Sequence, residues 1–148
     1  MMLLTSLALM TLAVEQAPAP MRLSLTSLGR FAVLADTASV TIEDDAARMR
    51  ALQVSEDDMV IGDKAYVGGW SWWRFDCAAG TADRLDFASL SADLVEGPAM
   101  PETQPPFAIS PGGDAAELAA VACGQVRPTI DATSLAEAVR LARQRLAD

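Results

Sequence analysis

The chain has 148 residues, enough for one domain with an ordinary hydrophobic core. Its net charge of −9 makes it a poor candidate for binding nucleic acid, which requires a basic surface. It contains no histidine, which excludes a Ser-His-Asp or Cys-His catalytic site, and its two cysteines cannot alone enclose a zinc ion. We therefore expect a protein that is not an enzyme and that holds neither a metal nor a cofactor.

An uncharged apolar run near the start, Leu3 to Leu12, is followed by a proline-rich stretch. The run is far shorter than the roughly 20 apolar residues of a permanent transmembrane helix. We interpret residues 1–13 as a signal peptide cleaved after Ala13, with cleavage after Ala19 as the alternative, and residues 14–22 as a disordered lead. The other interpretation of the run is a frayed buried helix. A signal peptide predicts export to the periplasm or cell surface and no membrane span in the mature chain.

Short apolar and alternating segments predict an antiparallel sheet of about four to six strands. A helix over residues 45–52 competes with a strand over residues 47–54, and the acidic turn before it favours the strand. Gly68-Gly69 indicates a bulge or bend in the central strand. The candidate strands are 23–28, 31–35, 40–42, 47–54, 66–77, 83–90 and 94–95.

Two acidic segments, residues 56–58 and 61–64, are predicted to be loops between these strands. Clustered carboxylates raise the possibility of calcium, but neither segment has the alternating Asp spacing and central Gly of a calcium loop. We favour solvated turns.

Two helices are predicted after the strands, which makes the fold class α+β with C-terminal helices packed on the sheet. The first covers residues 115–123, with Asp114 as N-cap and Gly124 as C-cap. The second covers residues 131–147. It contains a capping box, Ser134 to Glu137, and an apolar stripe that should dock on the sheet.

The aromatic segment of the central strand divides into two faces because side chains alternate along a strand. Trp73, Phe75 and Cys77 share one face, which we assign to the core. The other face carries Trp70, Trp72 and Arg74, a candidate binding surface because Trp and Arg are frequent interface anchors. The alternative, which we favour, is that the N-terminal segment or the last helix covers the two tryptophans.

A hairpin centred on Gly80 predicts the register of the central strand with the strand after it. This register forms an apolar face and two opposite-charge pairs. The predicted neighbours are Trp73 with Phe87, Phe75 with Leu85, Arg74 with Asp86, and Asp76 with Arg84.

Cys77 and Cys123 are an even pair in a chain predicted to be exported, which favours a disulfide bond. The bond would join the central strand to the first helix and stabilise the fold by about 3–4 kcal/mol. Two buried free thiols are the alternative for a cytosolic protein.

Four elements follow one another along the chain: Phe75-Asp76-Cys77-Ala78, Arg84-Leu85, Ile109-x-Pro111-Gly112 and the helix that ends at Cys123. Together they resemble the surface-adhesin E family of small exported bacterial domains. The resemblance runs from about residue 31 to residue 123. It implies an antiparallel sheet with a packed helix, a Cys77–Cys123 bond and, weakly, adhesion to a host protein.

We therefore divide the chain into residues 1–13 (signal peptide), 14–22 (lead), 23–124 (adhesin-E-like domain) and 125–148 (C-terminal helical extension). The function we expect is a non-catalytic binding or envelope-associated module with a protein partner. One alternative is a small enzyme or enzyme inhibitor that uses Arg or a carboxylate such as Asp76 or Asp86. An inert structural protein is the third possibility.

Overall fold

The computed structural model describes residues 20–148, so the predicted signal peptide, both cleavage sites and residues 14–19 of the predicted lead lie outside the described residues. One antiparallel sheet of nine strands precedes two helices, which confirms the predicted α+β class. The described elements are β1 Leu23–Leu28, β2 Ala32–Asp36, a short 3₁₀ helix Thr37–Ser39, β3 Thr41–Glu43, β4 Ala46–Ile61, β5 Lys64–Asp76, β6 Thr81–Arg84, β7 Asp86–Ser91, β8 Met100–Pro101, β9 Phe107–Ala108, α1 Asp114–Ala122 and α2 Leu135–Ala147.

Two long strands, β4 and β5, form the centre of the sheet. The main strand order is β1-β2-β4-β5-β6-β9, with β3 also paired to β4, β7 to β5, and β8 to β7. In β4, Ala51 and Leu52 are both buried although they point to opposite faces. Burial on both faces removes the alternation of apolar and polar residues, which is why a helix competed with a strand in this segment.

Each helix covers one face of the sheet, and the two faces have separate cores. We call them the α1 face and the α2 face. Helix α2 packs against β1, β2 and β4. The buried residues of the α1 face include Val33, Ala35, Ala47, Met49, Ala51, Phe75, Leu118 and Ala122. Those of the α2 face include Leu34, Leu52, Val54, Trp70, Leu90, Ala138, Val139 and Ala142.

The helix termini differ from the prediction in three places. Helix α1 ends at Ala122 with Cys123 as its C-cap, one residue before the predicted Gly124. Helix α1 begins at Asp114 itself, after a Gly113 N-cap that makes no side-chain cap hydrogen bond, and Asp114 Oδ1 accepts from Ser27 Oγ at 2.7 Å. Helix α2 begins at Leu135, not at Asp131, because the Asp131 carboxylate accepts the backbone N–H of Leu25 in the edge strand. The predicted capping box forms in part. The N-cap Ser134 accepts from the backbone N–H of Glu137 at 3.2 Å, but the Glu137 carboxylate accepts from the backbone N–H of Thr133 and not from that of Ser134.

The acidic segment 56–58 is not a loop between strands, because β4 continues through it. Residues 55–58 instead form a large bulge, in which four residues of β4 lie opposite the single residue Val67 of β5. Helix α2 supports the bulge: Arg143 Nη2 donates to Asp58 at 2.6 Å, and Arg143 Nε donates to the Ser55 carbonyl at 3.1 Å. The turn at Gly62-Asp63 lies where the second acidic segment predicted it.

The predicted register of the β5–β6 hairpin is wrong by three positions. Asp76 pairs with Thr81 and closes a four-residue loop, residues 77–80. Asp76 fixes this loop, because its carboxylate accepts from the Ala79 N–H and its carbonyl from the Gly80 N–H, each at 2.9 Å. A shift of an odd number of residues exchanges the two faces of the return strand, so none of the four predicted neighbour pairs forms. The observed pairs are Trp73 with Arg84, Arg74 with Asp83, Phe75 with Ala82, and Asp76 with Thr81.

The return strand is also interrupted, since β6 ends at Arg84 and β7 begins at Asp86. At the break, the Asp86 carboxylate accepts the Trp72 N–H at 2.7 Å, and the Leu85 N–H donates to the Trp72 carbonyl. Asp86 therefore replaces a backbone acceptor and does not pair with Arg74. The predicted strand at residues 94–95 is absent: Leu94 lies in a turn with a φ of 62°.

Candidate functional site

Strand β5 presents Trp70, Trp72 and Arg74 on the α2 face, as the alternation of side chains predicts. Their neighbours on β4 are Leu52, Arg50 and Arg48 respectively. Two arginines therefore join the three residues that the sequence singled out.

Trp70 is a core residue, with 2% of its surface exposed. It is the fourth residue in a row of directly paired residues that crosses five strands, and it belongs to the buried cluster that α2 completes. The favoured alternative, in which the last helix covers the tryptophans, therefore applies to Trp70, which is no longer a candidate contact residue. The row consists of Leu25, Leu34, Leu52, Trp70 and Ala88.

Trp72 is covered differently, by arginine side chains. The Arg48 guanidinium carbon lies 4.8 Å from the centre of the Trp72 ring, and that of Arg50 lies 5.8 Å from it and 4.2 Å from the Trp70 ring. Arg50 also forms an ion pair with Glu96 at 2.8 Å. These cation–π contacts leave Trp72 half-buried and replace the helix that covers Trp70.

Arg48 and Arg74 are directly opposite each other on β4 and β5. Within residues 20–148, neither forms an ion pair, and the buried Nε of Arg48 has no hydrogen-bond partner. Asp83 pairs with Arg74 from the β6 side, but its carboxylate is not within ion-pair distance. Like charges at directly opposed positions destabilise a sheet, so an anion placed between the two guanidinium groups would be stabilised. We call Arg48, Arg50, Trp72 and Arg74 the Arg–Trp face.

Sequence reasoning missed Arg48 and Arg50, although one signal for them was present. Once residues 47–54 are assigned to a strand, the two-residue spacing places both arginines on the same face. Only the register of β4 with β5 places them next to Trp72 and Arg74, and several registers would bury the apolar residues of these strands equally well.

The Cys77–Cys123 disulfide is present, which confirms the predicted pairing. It joins the β5–β6 loop to the residue that follows α1, with the two Cα atoms 5.9 Å apart. The bond therefore fixes α1 to the sheet but contributes nothing to the Arg–Trp face, which lies on the other side.

The carboxylates proposed for an enzyme are both engaged with the backbone. Asp76 accepts the Ala79 N–H and Asp86 accepts the Trp72 N–H, so each one shapes a turn or a strand break. Within residues 20–148, no group of three or more acidic or cysteine side chains is placed to hold a metal ion. Neither described helix is long and apolar enough to cross a membrane.

Comparison with known proteins gives no further indication of function: no family model, curated protein or solved structure matches the chain.

Proposed function

We propose that this protein is an exported, non-catalytic binding module whose Arg–Trp face recognises an acidic segment of a partner protein, as a member of the surface-adhesin E-like domains. The observation that carries the proposal is the direct opposition of Arg48 and Arg74 beside the half-buried ring of Trp72. This arrangement costs stability without a ligand and becomes favourable when a carboxylate lies between the guanidinium groups.

The composition of the face favours a short acidic segment over a long polyanion. The chain as a whole has a net charge of −9, so a nucleic acid or sulfated polysaccharide would meet repulsion beyond the arginines. A peptide with one or two carboxylates needs only the local charge. An apolar residue next to them could pack on the exposed edge of Trp72, and Trp and Arg are the side chains most enriched at interface hot spots.

Export is supported by the disulfide, because such bonds persist in oxidising compartments and are rare in the cytosol. The measurement that tests it is the intact mass of the protein purified from its own cells, with and without reduction. Export predicts the loss of residues 1–13 and a mass increase on reduction. A mass that retains Met1 and does not change on reduction would contradict export.

Binding can be tested with a fluorescein-labelled peptide of alternating glutamate and phenylalanine, measured by fluorescence anisotropy at low salt. We expect the double variant Arg48→Glu with Arg74→Glu to weaken binding at least about tenfold, since it reverses both unpaired charges. The control is Arg140→Glu, which makes the charge change of one of these two substitutions at an exposed position of α2. Because salt screens a charge outside the binding face, this variant should alter binding by less than about twofold.

Three results would count against this assignment. The Arg140→Glu control could weaken binding as much as the double variant, a peptide of lysine and phenylalanine could bind equally well, or heparin could bind far more tightly than the acidic peptide. The first two would mean that binding is nonspecific, and the third that the partner is a polyanion and not a protein.

A further inference from the structure

A second concave surface lies on the α1 face, on the opposite side of the sheet from the Arg–Trp face. Its wider part is a cleft of about 360 Å³ and its narrower part a cavity of about 180 Å³. Gln53 and Arg84 line both parts, so the two adjoin. The wider part has the volume of a small-molecule site, and nothing in the proposed function uses it.

Gly68 and Gly69 line the floor of the cleft, and neither position has room for a side chain. A β-carbon at Gly68 would lie 1.8 Å from the Gln53 carbonyl oxygen, and one at Gly69 would lie 2.3 Å from the ring of Phe87. The absence of a β-carbon at Gly69 lets the Phe87 ring rest directly on the backbone of β5, and its absence at Gly68 lets β4 and β5 approach each other there. Phe87 then forms an apolar wall of the cleft, together with Phe31 and Met59.

The positively charged side chain in the lining of the cleft is Arg84, which is 29% exposed. Its Nε donates to Ser71 Oγ at 2.9 Å and lies 3.4 Å from the Glu102 carboxylate. Its guanidinium carbon lies 5.2 Å from the centre of the Phe87 ring. Among the described residues, the two terminal nitrogens of Arg84 have no hydrogen-bond acceptor. They are the pair of donors that an arginine offers to a carboxylate.

We propose that this cleft binds a small molecule with an apolar, aromatic body and a single carboxylate. The carboxylate accepts from the terminal nitrogens of Arg84, and the body lies between Phe31 and Phe87. Glu102 and Asp114 also line the two parts of the site, so a ligand with several negative charges, such as a nucleotide, is disfavoured. This inference goes beyond the proposed function and does not depend on it, because it concerns the other face of the sheet.

The experiment adds 4-phenylbutyrate or its uncharged amide to the ¹⁵N-labelled protein and records the ¹H–¹⁵N NMR spectrum during the titration. We expect 4-phenylbutyrate to shift the Gly68 and Gly69 backbone signals and the Gln53 side-chain signal, and the amide to bind at least about tenfold more weakly. Arg84→Gln should weaken 4-phenylbutyrate binding to the level of the amide. The matched control Arg140→Gln, at an exposed position of α2 outside both proposed sites, should leave it unchanged.

Arg84→Gln also removes the hydrogen bond of Arg84 with Ser71, so this variant could lose binding through a change of structure. A second variant that leaves Arg84 in place separates the two causes. Glu102→Gln removes the carboxylate that competes for Arg84 and should tighten 4-phenylbutyrate binding by about threefold or more. The proposal is overturned if the probe leaves the Gly68 and Gly69 signals in place at millimolar concentration or if the amide binds as tightly as the acid. It is equally overturned if Glu102→Gln weakens binding or leaves it unchanged.

Discussion

The two faces of the sheet are closed by different means, although the same strand, β5, contributes a large aromatic residue to each. On the α1 face, Phe75 is fully buried and a covalent bond fixes the covering helix to the sheet next to it. On the α2 face, Trp70 is buried under a helix that is held without a covalent bond, by packing, by the Arg143 contacts and by the hydrogen bond of Asp131 with Leu25.

The way in which the α2 face is closed determines what lies beyond the end of helix α2. Helix α2 packs on β1, β2 and β4, so the end of β5 that carries Trp72 and Arg74 is not covered by it. Arginines from β4 lie over this end instead. A guanidinium covers an aromatic ring while it keeps hydrogen-bond donors near solvent, so a charged surface forms next to the core. The candidate binding face is thus a consequence of where α2 stops.

The largest expected effect comes from truncating the aromatic residue of the helix-covered part. Trp70→Ala should lower the free energy of unfolding by about 3–5 kcal/mol, because it removes a large buried ring from the core of the α2 face. The matched change Trp72→Ala should cost about 1–2 kcal/mol, because that ring is half-buried and covered by arginines. Urea unfolding of the oxidised proteins measures both. Equal losses would mean that Trp70 and Trp72 do not differ in environment as described.

Removal of the covalent bond tests whether the two faces are independently held. The double variant Cys77→Ser with Cys123→Ser should lose about 3–4 kcal/mol, as the chain-entropy model gives for this separation. Hydrogen exchange should show a greater loss of protection in α1 than in α2, because only α1 is joined by the bond. The reduced native protein is the control and should behave in the same way. A uniform loss of protection in both helices would argue that the sheet and its helices open only as one unit.

The smallest effect concerns the non-covalent attachment of α2. Ser134→Ala removes the side chain that caps the helix and should cost about 1 kcal/mol, with faster hydrogen exchange in the first turn of α2. Ser134→Asp retains a capping oxygen and serves as the control. If the alanine and aspartate variants are equally stable, then packing of α2 on the sheet, and not its cap, determines where this helix begins.

Local signals in the sequence were sufficient for much of the fold. The Ser134–Glu137 motif identified the N-cap of α2, although the helix was predicted to begin at Asp131. Short apolar segments and turn residues predicted β1 to β5 and both helices in their chain order, but not β8 or β9. The pairing of Cys77 with Cys123 required no geometry, since no other pair exists. Side-chain alternation along β5 correctly separated Trp73 and Phe75 from Trp70, Trp72 and Arg74.

Strand registers and long-range contacts could not be predicted from the sequence. The β5–β6 register depended on the hydrogen bonds of Asp76 in its own turn, which outweighed the expected pairing of charges across the strands. The acidic residues 56–58 were expected in a loop because nothing local indicates Arg143, which contacts the bulge from 85 positions away in the chain.

The sequence by itself determined the class of fold, the single disulfide and the face on which each aromatic residue of β5 lies, because these depend on the identity and spacing of neighbouring residues. Only the tertiary structure decided that Trp70 is core, that Trp72 lies under Arg48 and Arg50, and that Arg48 opposes Arg74 without a partner carboxylate. These features depend on strand register and on the length of sheet that one helix can cover, and no local segment of the chain determines either.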